Sequence, residues 1–402
     1  MAPRSGTSEV RYILNPGLVR VLGSQTEAYL RSRPTTIFEL TSDTFEFLWQ
    51  FREPRALNEV LEAPNQEQAQ VVEGLIARQL LLRADAELPS APPEPLRLPA
   101  VRRFSGVLPW TDESKHNDDA IVILGAKFDA GTLDRYKRGS AAGPDVIRDA
   151  SREYPLLVGL DPTRAWGFVD VESRRRYVRG VQLFDAGDLQ TSAALAPELW
   201  HKALEREVRA IHRRKARCLL LGGDHSVSAA AIRALDSGRF GVVQFDAHTD
   251  FGPVDYASHL HHANVMQVVH SMPHVEHIVL CGVRGFQQIP DESVSNHASY
   301  GVSVLRNKSD EQLRALLRPD LPYYLSCDID VLDASVVPGT TVPETDGLGL
   351  AELRRMLRTM LHGRRIVGAD IVEVHADAFA NLTARAALQV AFELIDLMQG
   401  GE

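Results

Sequence analysis

Gly241-Val242-Val243-Gln244-Phe245-Asp246-Ala247-His248-Thr249-Asp250 reads as a strand-length, largely apolar run that ends in a dense set of polar groups. The same pattern recurs twice. Cys218 to Leu221 leads into Gly222-Gly223-Asp224-His225-Ser226, and Tyr323 to Leu325 leads into Ser326-Cys327-Asp328-Ile329-Asp330. Each cluster therefore falls where a buried parallel strand ends, the ligand edge of an open α/β sheet. On an extended chain, side chains two residues apart share a face, so Asp246, His248 and Asp250 are predicted to point into one cavity. Asp328 and Asp330 are predicted to do the same.

These clusters supply two imidazoles, His225 and His248, and four carboxylates, Asp246, Asp250, Asp328 and Asp330. Burying that much negative charge requires a cation. Six ligands exceed a tetrahedral zinc site, and a majority of hard oxygen donors favours octahedral ions of the manganese type. A dinuclear site fits better. Two divalent cations about 3.5–4 Å apart can lower the pKa of a shared water from about 15.7 toward about 7, so the implied chemistry is metal-assisted hydrolysis.

With the motifs in this order, the chain from about Ala120 to the C-terminus resembles the ureohydrolases: arginase, agmatinase and their guanidino-hydrolase relatives. Further stretches carry the resemblance: Ile123-Leu124-Gly125, Phe128-Asp129 and Gly143-Pro144-Asp145-Val146-Ile147-Arg148 near its start, then Gly187-Asp188 and Gly282-Val283-Arg284. Pro338-Gly339-Thr340 and Asp370-Ile371-Val372-Glu373-Val374 complete it. It implies an α/β fold, an arginase-like parallel sheet flanked by helices on both faces, and two Mn2+ per subunit. It assigns His225, Asp246, Asp250 and Asp328 to one ion and Asp246, His248, Asp328 and Asp330 to the other. Asp246 and Asp328 would bridge.

Four carboxylates and a hydroxide outweigh two dications, and Glu373 adds a further negative charge. A guanidinium, charged at any physiological pH, is drawn to such a pocket and held by its planar fork of donors. Glu373 is the expected anchor. By resemblance, Ser258-His259-Leu260-His261-His262-Ala263-Asn264-Val265-Met266 corresponds to the segment carrying the family's proton-shuttle histidine. Matching His-Ala and the following Val-Met selects His262, with His261 as the rival. His375 departs from the Asn common after the family's Glu-Val pair.

Other motif residues read as structural. Asp224 and Asp188 are expected as cap or turn groups, Ser226 as a helix cap, and Cys327 as a core residue on the face opposite Asp328. His212, His270, His274, His277 and His297 fit no ligand spacing and are expected at the surface or an interface.

The chain of 402 residues is longer than one ureohydrolase core, and the excess lies in front. Leu88 to Pro99 carries five prolines in twelve residues and reads as a semi-extended linker. The expected division is residues 1–88, a linker at 89–100, and a catalytic domain at 101–402. In the front part, Arg11 to Leu14, Leu18 to Leu22 and Ile37 to Leu40 read as strands, the first two split by Asn15-Pro16-Gly17. Three helices are predicted: one with Phe45, Leu48 and Trp49 on a face, a second marked by Leu57, Val60 and Leu61, and a third by Val71, Val72, Leu75, Ile76 and Leu80. This β-β-β-α-α-α order, closed by a Leu80 to Arg83 edge, predicts an N-terminal winged-helix-like α+β domain.

Through Ser90 that part holds nine Arg and no Lys against ten Glu and two Asp, and the whole chain carries a formal charge of −9, so no nucleic-acid partner is expected. The unit resembles the PqqD-like domains that recognise precursor peptides by adding the leader as a strand. Its less peculiar reading is an inert subdomain or an oligomerisation arm. The favoured reaction is thus conversion of arginine in a ribosomally made precursor peptide to ornithine, with release of urea. Phe251-Gly252-Pro253-Val254-Asp255-Tyr256 offers no cation or amide for a free amino acid's carboxylate, which also suits agmatine; a small-molecule agmatinase is the second reading. A non-catalytic scaffold is a third, opposed by the complete ligand set. Three scattered cysteines, no apolar signal core and no membrane-length apolar run lead to the expectation of a cytoplasmic protein with no membrane partner. The resemblance also implies a homo-oligomer.

Overall fold

The computed structural model describes residues 10–15, 19–23, 27–31, 37–51, 53–61, 66–86, 96–100, 102–134, 137–155, 167–190, 197–235, 238–252, 260–286, 297–377 and 381–400. Pro16 to Leu18, the Pro-rich stretch as far as Pro95, and Pro253 to His259 lie outside these residues, as do the side chains of Phe45 and Trp49. The chain forms two compact units, residues 1–96 with 190–200, and residues 97–189 with 201–402.

The larger unit is built on a ten-stranded sheet. Across it the order is His297–Gly301, Val275–Val283, Phe240–Phe245, Tyr323–Asp328, Ile366–Val372, Arg217–Leu221, Ile121–Lys127, Leu183–Gln190 and Leu96–Leu98, with Leu108–Pro109 paired to Leu183–Gln190. Every pairing from His297–Gly301 across to Ile121–Lys127 is parallel. Phe240–Phe245, Tyr323–Asp328 and Ile366–Val372 are buried at every position, which explains why they read as apolar runs rather than alternating ones. On one face Ile121, Ile123, Leu219, Leu221, Val243 and Phe245 share a core with Ile147 of helix Gly143–Ser151, Leu353 and Met356 of Leu350–Leu361, and Leu388 and Leu394 of Leu382–Met398. Successive strand residues point to opposite faces, so Leu220 and Val242, both fully buried, face the other way.

Register decides what meets at the sheet edge. Phe245 pairs with Cys327, Cys327 with Ile371, and Leu221 with Ile371, so four neighbouring strands end in one transverse row. Strands in such a row stand about 4.7–4.9 Å apart. The residues just past it are Asp246, Asp328, Val372-Glu373 and Gly222-Gly223. Motifs separated by up to about 150 positions are thereby delivered to one edge, and Cys327 lies in the core as expected.

Away from that edge, Arg148 is buried and holds Asp185 through Nε and Nη2, both at 2.9 Å, and Asp188 through Nη1 at 2.5 Å. Asp188 is thus an ion-pair partner, not the expected cap. Arg148 satisfies two buried carboxylates at once, and removing one partner of such a set leaves a buried charge uncompensated. Gly125 is required beside it, since a Cβ there would lie 1.8 Å from Asp188 Oδ1.

In the smaller unit, Val19–Gly23, Glu27–Arg31 and Ile37–Thr41 form an antiparallel meander with Glu27–Arg31 in the middle. Arg11–Leu14 lies between Arg55–Ala56 and Leu81–Arg83 in a second antiparallel sheet. Thr41 caps helix Ser42–Trp49, its hydroxyl accepting from the Thr44 amide, and Leu48 is fully buried. Helix Gln66–Ala77 buries Val72 and Leu75, while Val71 is 46% exposed. The order departs from β-β-β-α-α-α. A strand at Glu27–Arg31 was not expected, and the second helix is only a 3-10 turn at Leu57–Glu59. Leu57, Val60 and Leu61 have helical spacing, but Pro64 disfavours helix at Ala63 and cuts the run short.

Candidate metal centre

His225 is fixed by the turn that precedes helix Ser226–Arg233. Asp224 anchors that turn by accepting from the Gly131 amide at 2.7 Å, the Ser226 amide at 3.1 Å and the Ser226 hydroxyl at 2.5 Å. Ser226 is therefore not the cap; it donates to Asp224 and sits 3.0 Å from His201 Nε2. Gly223 passes so close to the neighbouring chain that a Cβ would lie 1.7 Å from Phe128 O. No side chain fits there.

Asp246, His248 and Asp250 do meet, but turns bring them together rather than an extended strand. Strand Phe240–Phe245 ends before Asp246, whose Oδ1 accepts from the His248 amide at 2.5 Å. Asp250 adopts a left-handed backbone, φ 51°, which L-residues avoid unless the surroundings impose it. Likewise Asp328 closes strand Tyr323–Asp328 and its Oδ1 accepts from the Asp330 amide at 2.9 Å, capping the 3-10 turn Ile329–Val331. Polar side chains at strand ends prefer to satisfy the next free amides, and such local bonds override the alternation expected of a strand.

The result is two groups of donors. His225 Nδ1 lies 2.8 Å from Asp250 Oδ2, 3.1 Å from Asp246 Oδ2 and 3.4 Å from Asp328 Oδ2. His248 Nδ1 lies 2.9 Å from Asp330 Oδ2 and 3.4 Å from Asp246 Oδ1. Asp246 thus offers one oxygen to each group. Asp328 has one oxygen occupied by the Asp330 amide, leaving Oδ2 as the oxygen through which it would serve both. His225, Asp246 and Asp328, and Asp246, His248 and Asp330, each bring ligand atoms within 4.8 Å of one another. His225 Nδ1 is buried among three carboxylates yet makes no aligned hydrogen bond, the arrangement of a ligand nitrogen rather than of a proton donor.

The electrostatics agree. Burial opposes charge on His225, but Asp250, Asp246 and Asp328 outweigh it and hold the ring well above the ordinary histidine range. At His248 burial is likewise outweighed by Asp330 and Asp246, which push it up to about 12. Burial, with the charge of Asp246 beside them, raises Asp250 to about 6 and keeps Asp328 and Asp330 above the usual carboxylate range. Burial would raise Asp246 too, but His225 and His248 outweigh it and hold that carboxyl below the usual range. A cluster that raises both imidazoles and its other three acids is short of positive charge at its centre.

Supporting groups escaped the sequence reading. His225 Nε2 is 2.9 Å from Ser326 Oγ, which donates to Asp370 Oδ1 at 2.8 Å, while Tyr324 donates to Asp370 Oδ2 at 2.7 Å. This chain fixes the ring orientation that turns Nδ1 toward the acids. Gln244 Nε2 donates to Asp246 Oδ2 at 2.6 Å. Ser326 and Gln244 each lie two residues before a motif Asp on a buried strand, and a polar residue inside an apolar run was the available signal.

A cavity of about 300 Å³ opens onto both groups, lined by His225, His248, Asp250, Asp328 and Asp330 together with His262, Thr341, Val342 and Glu373. Glu373, also left-handed at φ 61°, accepts from the His225 amide through Oε1 at 2.8 Å and from the Thr341 hydroxyl through Oε2. Burial and the nearby Asp224 push its carboxyl up to about 8, against those two hydrogen bonds. His262 Nδ1 is 3.8 Å from Glu373 Oε1. His261 is buried, is not among the residues lining the cavity, and neither of its ring nitrogens has a partner. The five histidines expected at the surface or an interface are all half-buried; His212 Nε2 lies 2.9 Å from Val367 O, and His270 and His297 pack with Phe251.

Residues 119–396, which include every group just described, match the arginase family. The chain belongs to the arginase family. It is a hydrolase of that family, acting on guanidino carbon–nitrogen bonds. It is 30% identical over 269 residues to the proclavaminate amidinohydrolase of Streptomyces clavuligerus, covering 63% of this chain and 80% of that protein. It is 29% identical over 301 residues to the agmatinase of Pyrococcus horikoshii, covering 74% of this chain and 97% of the relative. The solved structure of the Streptomyces clavuligerus amidinohydrolase superposes with a TM-score of 0.61 at 25% identity, over 77% of this chain and all of that one. Among the described residues no helix is long and apolar enough to cross a membrane.

Proposed function

We propose that this arginase-family chain is a dinuclear manganese guanidino hydrolase whose substrate is an arginine side chain within a ribosomally made precursor peptide, converted to ornithine with release of urea. The observation that carries the hydrolase reading is the pair of donor groups sharing Asp246, with Glu373 and His262 facing each other in the same cavity. His225, Asp246, Asp250 and Asp328 would hold one ion, and Asp246, His248, Asp328 and Asp330 the other. Bound there, two such ions supply Lewis acidity and a nucleophilic oxygen at neutral pH. Glu373 accepts the guanidinium's fork of N–H groups and orients its carbon toward the acid cluster. Burial, with the neighbouring histidines, pushes His262 down to about 4, so its ring rests neutral; it would take up the proton released by the attacking water and pass it to the departing amine.

Two features support a peptide substrate. Among the described residues lining the cavity no lysine or arginine offers a partner for a free amino acid's carboxylate. The front unit carries a three-stranded antiparallel meander whose outer strands, Val19–Gly23 and Ile37–Thr41, are each paired on one side alone among the described residues, which leaves an edge for strand addition. The relatives named agmatinase favour the second reading, a small guanidino amine as substrate. Urea release from the intact chain separates them. Arginine within a short N-acetylated, amidated peptide is expected to exceed free arginine in kcat/KM by about tenfold or more, the gain from leaving no buried carboxylate unpaired, and to exceed agmatine, which has no carboxylate either, through main-chain contacts that agmatine cannot make. Agmatine turning over faster than the capped peptide would favour the small-amine reading.

A further inference from the structure

Beyond Glu373 the cavity wall contains a second layer of hydrogen bonds that the reaction as described does not use. Strand Ile366–Val372 ends before the left-handed Glu373, and the segment that follows, Glu373 to His375, is zipped to the loop after Pro338. The His375 amide donates to Gly339 O at 2.9 Å, Val374 bridges Thr340, and the Gly339 amide donates to Thr383 Oγ1 at 2.8 Å. The zipper sets Thr341 beside both Glu373 and His375. Thr341 Oγ1 donates to Glu373 Oε2 and lies 2.9 Å from His375 Nε2. All three side chains are buried.

The direction of this relay follows from the donors available. A hydroxyl has one proton, and Thr341 gives it to the Glu373 carboxylate, so toward His375 the oxygen accepts. His375 must therefore carry its proton on Nε2. The opposite nitrogen, Nδ1, is buried with no hydrogen-bond partner, and a buried lone pair is tolerated better there than a buried N–H would be. Burial pushes His375 down to about 4, against the pull of Asp129, so the ring is neutral and has only that one proton to give.

We infer that His375 is a positioning residue for guanidinium binding: its Nε2–H fixes the Thr341 hydroxyl, which in turn fixes the Glu373 carboxylate facing the cavity. This rests on Glu373 being the guanidinium anchor. The His225 amide holds Oε1 and the Thr341 hydroxyl holds Oε2, so both carboxylate oxygens are locked and the fork of the guanidinium meets a preset plane. Since the bound guanidinium is the same cation in the ground state and on the way to attack, the relay contributes to binding in both and its loss shows in KM.

The test uses the full-length, metal-loaded chain and three variants. His375→Phe removes the donor, Thr341→Val removes the relay while leaving His375, and His375→Gln returns an N–H donor near the position of Nε2. Loss of one hydrogen bond to a charged group corresponds to about 10–100-fold. Thr341→Val is expected to raise KM for one guanidino substrate, and the dissociation constant of the guanidinium ion in calorimetry, by about that factor, and His375→Phe, which removes the neutral bond one step back, by about 2–10-fold. Their kcat should stay within about threefold of the parent, with two metals per chain retained. His375→Gln should recover most of the loss. Where His375→Phe fails to fold, Thr341→Val and His375→Gln decide the matter alone. An unchanged KM in a folded, metal-replete variant, or a fall in kcat alone, overturns the inference. If the parent chain releases no urea from any guanidino compound, the functional reading fails instead.

Discussion

Asp246→Ala is expected to release both metals and to lower urea production by more than about 10³-fold. Asp246 Oδ2 faces His225 Nδ1 and Asp246 Oδ1 faces His248 Nδ1, so one substitution removes a donor from each group. Each remaining set would then hold like charges with less to bind between them, and the water-activating function of the pair goes with the ions. Asp328→Ala is expected to have nearly the same effect, because Asp328 Oδ2, 3.4 Å from His225 Nδ1, is the oxygen through which it would serve both ions. Elemental analysis alongside circular dichroism measures this directly. A folded Asp246→Ala chain with two metals and parental activity would remove the basis for a shared site.

His262→Ala is expected to slow turnover by about 10²–10⁴-fold while both metals remain, the usual loss for a positioned general acid. His262 lines the cavity with Nδ1 3.8 Å from Glu373 Oε1, close to where the leaving amine would form. His261→Ala should be far milder, since that residue is not among those lining the cavity and neither ring nitrogen has a hydrogen-bond partner. Single-turnover kinetics with metal counts on both variants make the comparison. If His261→Ala is the slower of the two, the shuttle role moves to His261.

The sheet and the cluster of acids and histidines at its edge were legible because buried parallel strands leave a plain trace: an apolar run that stops at a polar cluster. Asp246, His248, Asp250, Asp328 and Asp330 were all placed in one cavity on that basis, yet the reason given for their convergence was mistaken. Alternation along a strand does not operate past residue 245, where Asp246 and Asp328 instead bond the amides two residues on. For groups whose partners are distant in sequence, nothing local named the partner. Thr341 reaches Glu373 across 32 positions, and Asp370 reaches Ser326 only through the register of their two strands. Likewise Ser226 looked like a cap by position, although Asp224 takes its proton and His225 occupies the cap site.

The front unit was read less well for a different reason. Its elements are short, and five residues such as Glu27–Arg31 contain too few alternations to distinguish strand from loop. Leu57, Val60 and Leu61 have helical spacing within a segment that Pro64 prevents from continuing, so period and proline pointed in opposite directions and the proline won.

Two metal ions, held by one shared cluster, are expected to be required for hydrolysis of the guanidino group. Titrating the metal-stripped chain with Mn2+ while following both bound metal and urea release from an arginine-containing peptide and from agmatine tests it most directly. The expected result is urea from at least one of these compounds, rising with occupancy and reaching its full rate only at two ions per chain. Full urea release from the stripped chain, or saturation of activity at a single ion, would contradict it.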